Sequence, residues 1–377
     1  MEALSYTLTV NREPAPPGLL GAIQQIEVET GVERGADMMR LRIAIGPKDD
    51  RTGWSVVDSG VFKRLTPIRL AINIGGAPPE LLMDTLVTEV SITFSDRPGE
   101  STLNVVAMDP SVLLNLEEKD VGWPDKSDSE IAQTIFARAS KDYLGKFGHK
   151  LVPRVEQTTL KPNERNQKVV QRGVTDMRYL KRLADRNENF VVYVATNRDS
   201  GDIEGHFHPK HIDPEPQGEL QVNRGPDTNV SSFNVSFNMM LPAVVSGAGT
   251  DADTQNPDQD VKADKIKQTK MGPKSTLPTE NPRQVKIKGD ASFVKNELQR
   301  QAQAEVDRKG QKAIRATGEV TTAAYGGLLL PDRPVTVTGA GPDFSGRYYV
   351  ESVSHTLSGE GYTQSFSLSR NALGQEG

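Results

Sequence analysis

Apolar and polar residues alternate along the first 110 or so residues, which is the pattern of strands that bury one face. The clearest run, from Leu4 to Val10, has an apolar side chain at every second position. About six such strands are expected here, with almost no helical period between them, and this density is typical of a small antiparallel barrel or sandwich. Residues 1–115 are therefore predicted to form a first β-barrel domain. The strands are expected near residues 4–10, 23–28, 41–45, 68–74, 86–94 and 103–108.

The end of the chain repeats part of this first segment. When the sequence is shifted by 263 positions, Val350–Ser358 falls on Val87–Ser95, and five residue types match without a gap. Each copy has two alternating strands around a glycine-containing turn, which predicts a hairpin, and an apolar strand precedes each copy. The chain is therefore predicted to contain two similar β-units. At the same shift the second strands align Phe366 with Leu103 and Leu368 with Val105.

Two amphipathic helices are predicted between the β-units. Ser127 and Glu130 have the spacing of a capping box, in which each side chain satisfies a backbone N–H of the other residue. A helix with Ile131 and Ile135 on its buried face should follow, and a second helix should begin at Thr175. Together with an apolar strand at residues 190–195, these helices indicate a small α/β domain over residues 116–215.

Residues 216–377 are predicted to form a second β-barrel domain that a polar insertion interrupts. The insertion, residues 248–282, has few apolar residues and no period, so it cannot bury enough surface to offset its ordering entropy. We interpret it as mobile and expect trypsin to cut it first. A helix is expected after it, from Asp290 to Gly310, with Val294 as its first buried residue. The first trypsin cuts in the insertion are expected after Lys262, Lys265, Lys267 or Lys270.

Composition excludes several classes of protein. The 377 residues are 36% hydrophobic and 25% charged, as in ordinary soluble domains. The net charge of −5 gives no global positive field for nucleic acid, and the absence of cysteine excludes thiol catalysis, cysteine-ligated zinc and disulfides. No apolar run approaches the roughly 20 residues of a membrane helix, and the first residues do not have the form of a secretion signal. We expect neither nucleic-acid sequence readout nor membrane insertion by this chain.

Metal-binding side chains are concentrated in a trio of histidines, His206, His208 and His211, which lies close to Asp213. Zinc accepts such ligands, and a metal-dependent cell-wall or polysaccharide hydrolase built on this trio is the alternative function. The His-Glu-x-x-His spacing of catalytic zinc helices is missing, however, and Pro209 interrupts the strand. We interpret the trio as a solvated strand end and expect no metal, no cofactor and no catalytic residue.

Other candidate motifs are weak. The glycine clusters around Gly247 and Gly339 have no amphipathic helix after them, so they do not have the form of a phosphate-binding loop. The carboxylate pairs Asp49–Asp50 and Glu117–Glu118 lie in polar connections, where a raised pKa is not expected. The sequence thus contains strands and surfaces but no nucleophile next to a base.

Four segments, taken in their order and spacing, resemble the tail-hub family. This family comprises the late control protein D of P2-like phages, the baseplate hub of T4-like phages and the hub portion of the VgrG proteins of type VI secretion. The resemblance covers about residues 60–372. The segments are Leu103–Asp109, Trp123–Ile135, Val174–Ala184 and Phe344–His355, the last continuing to Arg370.

The resemblance implies a structural, non-enzymatic baseplate hub of a contractile tail, in a phage, a tailocin or a phage-like injection system. It implies a homotrimer that acts as a symmetry adaptor. The two tube-like β-barrel domains of each chain would present six similar barrels to the six-fold inner tube, and the trimer three equivalent faces to the three-fold spike. Assembly in the bacterial cytoplasm and a place in a virion tail or injection particle are implied as well.

The same resemblance implies the partners. These are the inner tube protein, the spike protein and other baseplate proteins. The printed sequence stops at Gly377 without an oligosaccharide-binding barrel, a lysozyme-like domain or a repetitive β-helix, so we expect the spike to be a separate chain.

Two other classes of function stay open beside the hub. The hydrolase predicts a stoichiometric metal and activity that is lost when His206 and His208 are replaced. A carbohydrate-binding or adhesive module predicts a functional monomer with an exposed aromatic platform, yet only 6% of the residues are aromatic.

Overall fold

The computed structural model describes residues 5–33, 36–48, 53–74, 78–97, 99–158, 169–187, 189–248, 261–288 and 295–375. The strands are β1 (Ser5–Val10), β2 (Glu13–Pro14), β3 (Ile23–Gly31), β4 (Met38–Ala44), β5 (Pro67–Asn73), β6 (Glu80–Thr93), β7 (Thr102–Met108), β8 (Glu118–Gly122), β9 (Leu151–Val155), β10 (Val170–Thr175), β11 (Phe190–Thr196), β12 (Ile203–Pro209), β13 (Glu219–Gln221), β14 (Val230–Phe237), β15 (Ala243–Ala248), β16 (Val261–Ala263), β17 (Lys274–Ser275), β18 (Arg283–Lys288), β19 (Ile314–Thr321), β20 (Pro334–Thr338), β21 (Gly346–Ser358), β22 (Gly361–Arg370) and β23 (Ala372–Leu373). The helices are α1 (Pro17–Ala22), α2 (Asp128–Phe147), α3 (Asp176–Arg186), α4 (Lys295–Gln311) and α5 (Thr322–Tyr325), and short 3-10 turns lie at Pro110–Asn115 and Gly225–Asp227.

One large sheet runs through both halves of the chain. Its strands follow the order β14-β19-β22-β21-β3-β4-β7-β6-β5-β1-β2, with β20 and β13 attached beside β21. Neighbours along this path are antiparallel, as in β3 with β4 and β21 with β22. The predicted fold class, mainly β with an α+β arrangement, is confirmed. The boundaries of the three predicted domains stay a prediction.

Two apolar cores lie on this sheet, one for each β-unit. The first contains alternating residues of β3, β4, β5, β6 and β7, and Leu357 and Tyr362 of the second unit reach into it. The second contains the corresponding residues of β19, β20, β21 and β22. Because successive strand residues face opposite sides, the other face of the sheet carries the polar set, as the alternating pattern predicts.

The α/β region packs α2 and α3 against the sheet β11-β12-β9. The capping box is confirmed, since the Ser127 hydroxyl accepts from the Glu130 N–H and the Glu130 carboxylate accepts from the Ser127 N–H. Ile131 and Ile135 are fully buried, as expected. Gly205 of β12 lies so close to α2 that an added Cβ would come within 2.6 Å of the Phe136 ring.

Acidic residues of the resembling segments join the two helices of this region. Asp128, at the start of α2, binds Arg186, at the end of α3, through Nε at 2.8 Å. Asp176, at the start of α3, accepts from Arg138 of α2 at 2.7 Å, and both carboxylates are buried. Each acid also lies in the first turn of its own helix, where the macrodipole favours negative charge. The pairs therefore fix the orientation of α2 against α3.

The prediction of a polar insertion without apolar anchors is wrong for residues 261–282. Met271 is buried at 1% exposure, and Ile266 and Leu277 are buried against α4 and β15. Gly310 lies within α4 instead of ending it, and an added Cβ there would come within 2.4 Å of Ile266. The lysines named above therefore lie in an anchored segment. Residues 249–260, and the expected helix start at Asp290 with Val294, lie outside the described residues.

Arg370 anchors this segment to the second β-unit. Its side chain is fully buried, and its guanidinium donates to the Met271 carbonyl at 2.7 and 3.0 Å and to the Ser345 carbonyl at 2.9 Å. It also donates to the Gly374 carbonyl and lies 5.3 Å from the Tyr348 ring centroid. One side chain thus satisfies backbone carbonyls of three separate segments.

Replacing Arg370 with methionine should lower the free energy of unfolding by about 3–5 kcal/mol, because buried carbonyls lose charged donors. Chemical denaturation measures this loss. Trypsin should also cut the variant faster after Lys270 and Lys274, which flank Met271. Arg315, which is exposed on β19, provides the matched control: Arg315→Met should change neither measurement appreciably. Equal stability of the Arg370 and Arg315 variants would contradict the anchoring role.

Candidate functional site

The two β-units correspond strand by strand. In the sheet order, β3-β4-β7-β6 of the first unit matches β14-β19-β22-β21 of the second, and β5 and β20 extend β6 and β21 in the same way. Pro67, the first residue of β5, pairs with Leu86, and Pro334, the first residue of β20, pairs with Tyr349. The two partners, Leu86 and Tyr349, are 263 positions apart, which is the shift that the sequence predicts.

A β-bulge lies at the same place in both hairpins. The register shifts between Val87 and Glu89 in β6, and between Val350 and Ser352 in β21. These residues are also related by 263 positions. Because a bulge bends a strand and increases its local twist, the two hairpins share their bend as well as their sequence. The predicted repeat of the first strand is confirmed.

The second strands of the hairpins align differently from the sequence prediction. Val90 pairs with Val105, and the equivalent Val353 pairs with Phe366, so the second strands are related by 261 positions. The predicted alignment of Phe366 with Leu103 between the two repeats is therefore wrong by two residues. The reason is that the turn after β6 is two residues longer than the turn after β21. An even shift keeps every side chain on its face, which explains why the pattern still matched.

A second pair of bulges extends the repeat to strands that sequence comparison missed. The register shifts between Ile23 and Gln25 in β3, and between Val230 and Ser232 in β14, so these strands are related by 207 positions. Each bulged strand lies beside the strand that pairs with the hairpin, β4 or β19. The repeat therefore comprises four strands rather than two.

The units are joined within the chain by β21 and β3. These strands pair antiparallel from Ser352–Gly31 to Ser358–Gln25. The apolar residues at this junction are buried completely: Val28 and Val353 are at most 1% exposed. In the order of the sheet, the junction thus connects the last strand of the second unit, β21, to the first strand of the first unit, β3.

The equivalents of the two joined strands lie at open edges of the sheet. Beyond residue 88, β6 pairs on one side with β7, and the described strands place no partner on its other side. The strand β14 likewise pairs with β19 alone among them. Several of the exposed large apolar side chains lie on or next to these edges. They are Val90 (41%), Phe94 (59%), Met239 (68%) and Met240 (69%).

The polar face of the sheet continues across both edges. Along β14 the side chains that alternate with Phe233, Val235 and Phe237 are serines and an asparagine, and they are exposed. Beyond its bulge, β6 carries Glu89, Ser91 and Thr93 in the same manner. Both open edges therefore have one apolar and one polar side, like the closed junction between them.

The predicted histidine trio does not form a solvated strand end, so that interpretation is wrong. His208 is 3% exposed, and it lies with His211 against Asp332, which is 4% exposed and belongs to the turn before β20. His206 stacks on Tyr193, with ring centroids 4.5 Å apart. The sequence pattern gives no sign of this contact, because 121 residues separate Asp332 from His211.

Burial and charge separate the pKa values of the three histidines. Burial, together with the neighbouring His208, lowers the pKa of His206 to about 4. Burial also lowers the pKa of His208, whereas the hydrogen bond to Asp332 raises that of His211. The contact with Asp332 thus favours the protonated form of His211, whereas burial favours the neutral form of the other two rings.

The remaining sequence candidates lie apart from this cluster. Gly247 lies in β15, and Gly339 and Gly341 lie in the turn after β20. Glu117 and Glu118 are exposed, while Asp49 and Asp50 lie outside the described residues. Asp213 follows the histidines, but the structure places Asp332 rather than Asp213 beside their rings. None of these candidates brings a nucleophile next to a base in the described part of the chain.

The family of this chain follows from a comparison with family models. Residues 20–359 match the model described as the Alg8 N-terminal domain. The chain belongs to the Alg8 N-terminal domain family. A search of curated proteins finds none that matches.

Solved structures of tail proteins share the fold of this Alg8 N-terminal domain. The 43 kDa tail protein of prophage MuSo2 from Shewanella oneidensis has a TM-score of 0.65 at 14% identity, with 98% of this chain and 100% of that chain covered. A tail protein from Neisseria meningitidis MC58 has a TM-score of 0.65 at 12% identity, covering 98% and 97%. The E. coli c3393 protein, described as a component of the type VI secretion system, has a TM-score of 0.55 at 11% identity, covering 96% and 76%.

The resemblance to tail-hub proteins is therefore confirmed at the level of the fold. The matched region, residues 20–359, contains the first β-unit from β3 to β7, the α/β region and the second unit as far as β21, while β22 lies beyond its end. Among the helices that the structure describes, none has the length and apolar character needed to span a bilayer.

The burial of His355 in β21 predicts how acid lowers the stability of this Alg8 N-terminal domain. It is fully buried, its Nδ1 bonds the Tyr362 hydroxyl at 2.8 Å, and burial lowers its pKa to about 3, with Arg198 adding to the effect. Since the folded-state pKa lies below the unfolded value of about 6.5, the folded protein binds fewer protons. Stability from this group is complete above pH 6.5 and is lost as the pH falls toward 3.

Between pH 7 and pH 4 the wild type should therefore lose about 3 kcal/mol more unfolding free energy than His355→Gln, which keeps an acceptor for Tyr362. Denaturant titrations at both pH values give the difference. His149, which is half-exposed beside Asp202, provides the matched His→Gln control at a position away from β21. A pH dependence unchanged in His355→Gln would show that His355 does not titrate as described.

Proposed function

We propose that this chain is a structural hub of a contractile tail or phage-like injection system, in which three copies join a six-fold inner tube to a three-fold spike. The observation that carries this proposal is that the two open edges, β6 and β14, are the repeat equivalents of the two strands β21 and β3 that already pair within the chain. The open edge of β6 in one copy can therefore pair with the open edge of β14 in the next copy, as β21 pairs with β3 within the chain.

The internal junction gives the register of this contact. Residues of β21 map onto β6 at 263 positions, and residues of β3 map onto β14 at 207 positions. The pair His355–Val28 then becomes Ile92 of one copy opposite Val235 of the next. The apolar pairs are Val90–Phe237, Ile92–Val235 and Phe94–Phe233, and the polar pairs are Glu89–Asn238, Ser91–Ser236, Thr93–Asn234 and Ser95–Ser232.

The composition of these pairs supports the register. Every apolar residue of one edge meets an apolar residue of the other, and every polar residue meets a polar one. A slip of one residue would place the polar side of one strand on the apolar side of the next. Phe94 and Val90, which are exposed in the isolated chain, would be covered, and about 25 cal/mol would be gained for each Å² of apolar surface removed from water.

A contact of this kind is head-to-tail, so it forms a ring if the rotation closes and a filament if it does not. Three chains with two units each would make a ring of six similar β-units and three identical chains. This is what the junction between a six-fold tube and a three-fold spike requires. The polar face of serines, threonines and asparagines would then continue around the ring without a break.

The partners and location follow from the same proposal. The inner tube protein would stack on the ring of six units, and a separate spike chain and other baseplate proteins would bind the face with three-fold symmetry. The role is structural rather than enzymatic, and the place of the protein is a virion tail or injection particle assembled in the bacterial cytoplasm. The tail proteins that share the fold support this assignment.

Paired cysteines test the register directly, since the chain contains no cysteine of its own. In the assembled particle, Ser91→Cys with Ser236→Cys should form disulfides between neighbouring copies, because opposed strand residues lie within the range that a disulfide spans. Non-reducing gels should show dimers and a covalent trimer, with no larger species.

Two further variants calibrate this experiment. Glu29→Cys with Ser354→Cys probes the equivalent internal pair and should lose both thiols without any increase in mass. Ser91→Cys with Val235→Cys puts the thiols on opposite sides of the sheet and should not cross-link efficiently. If the internal pair closes but Ser91–Ser236 does not, or if bands extend beyond the trimer, the proposed ring is wrong.

A further inference from the structure

The histidine cluster brings three metal-binding side chains from two parts of the fold together. Nδ1 of His211 lies 2.8 Å from Oδ2 of Asp332, and Nε2 of His208 lies 3.8 Å from the same oxygen. The three candidate ligand atoms all lie within 4.8 Å of one another. Around a tetrahedral zinc ion, ligand atoms about 2.0–2.2 Å from the metal are about 3.3–3.6 Å apart, so shifts of about 1 Å would complete the geometry.

Hydrogen bonds outside the trio already orient the ligand atoms. Nδ1 of His208 lies 2.7 Å from the Pro209 carbonyl, to which it donates, so Nε2 keeps its lone pair and faces Asp332. The Tyr349 hydroxyl donates to Oδ1 of Asp332 at 2.6 Å, and the backbone N–H of His211 donates to the same oxygen at 3.2 Å. Oδ2 is thereby turned toward the two rings. Outer contacts of this kind fix the tautomer and direction of metal ligands.

The site has a fourth donor and a route to solvent. The Tyr193 hydroxyl lies 3.2 Å from Oδ2 of Asp332 and 3.4 Å from Nε2 of His208. Asp332, Tyr193 and His206 also line a cavity of about 760 Å³ between the first β-unit, the α/β region and the second β-unit. Of the three candidate ligands only Asp332 borders this cavity, and His211 is half-exposed, so an ion can approach from these two sides and a water can complete its coordination.

We propose that His208, His211 and Asp332 bind one divalent transition-metal ion of the zinc class. A set of two imidazoles and one carboxylate binds such ions in preference to Mg²⁺ or Ca²⁺. The ion joins the end of β12 and the residues after it to the turn before β20, so it clamps the α/β region against the second β-unit. The burial of His208 and Asp332 shows that the cluster is not the solvated strand end on which the expectation of no metal partly depended.

Zinc titration of the untagged, chelator-treated chain tests the site. Equilibrium dialysis with elemental analysis should find one equivalent per chain, and Mg²⁺ should not compete. At a free zinc concentration about 100 times the dissociation constant, the Tm should rise by about 2–5 °C, and EDTA should reverse this rise. Cobalt(II) bound at the same site should show the visible absorption of a tetrahedral or five-coordinate ion.

Asp332→Asn is the main variant. Asp332 has a left-handed backbone with φ of 59°, which asparagine tolerates, and the amide oxygen can still accept from Tyr349. The variant should fold, bind zinc at least about tenfold more weakly and lose the Tm rise. His211→Asn, at a half-buried position, should do the same, whereas His149→Gln should bind zinc like the wild type.

The absence of stoichiometric zinc binding would overturn the proposal. So would one equivalent that Asp332→Asn and His211→Asn bind as tightly as the wild type. Neither result would affect the ring register, which concerns β6 and β14, at other places in the fold.

Discussion

The antiparallel pairing of β21 with β3 is the contact on which the rest of the structure depends. It turns two β-units, separated by the α/β region in the sequence, into one continuous sheet. Because hydrogen bonds cross this junction, the orientation of one unit relative to the other is fixed by backbone geometry rather than by side-chain packing alone. Leu357 and Tyr362 of the second unit then reach into the core of the first.

A shared position for each bulge is what makes the two units equivalent in shape. Hydrophobic residues can drift between repeats without changing the path of a strand, but an added or lost bulge changes its bend and twist. The bulges at Thr88 and Glu351, and at Gln24 and Ser231, occupy matching places. The rotation from one unit to the next is therefore set by backbone features, and the same rotation can be applied again at an open edge.

Sequence reasoning succeeded where the signal was local. The capping box of α2 and the first strand of the repeated hairpin depend on neighbouring residues, and both are confirmed. It missed the repeat of β3 and β4 in β14 and β19, because the paired residues differ too much: Leu41 corresponds to Gly318, and Ile26 to Phe233. The strand spacing differs as well, because β4 follows β3 directly whereas β15 to β18 and α4 lie between β14 and β19, so the matching bulges became visible only in the structure.

The failures have one physical cause, which is that long-range contacts compensate for a weak local pattern. Residues 261–282 have too few apolar side chains to predict a core, yet Arg370 satisfies the Met271 carbonyl and Gly310 leaves room for Ile266. Asp332 likewise joins the histidines through a turn that is remote in sequence. Neither partner can be read from a window of neighbouring residues.

The differences between the internal junction and the open edges also have physical meaning. An exposed strand edge can pair with any other edge, which creates a risk of aggregation. At the internal junction Leu357 lies opposite Ile26, whereas the equivalent residues at the open edges are Phe94 and Phe233. Aromatic residues provide large buried area, and pairs of them gain further from ring contact.

His355 is replaced by Ile92 at the corresponding edge position. The internal junction therefore buries a hydrogen-bonded histidine, whereas the open edges present aliphatic and aromatic side chains. The strands at the open edges therefore have the same backbone geometry as β21 and β3 but carry different side chains.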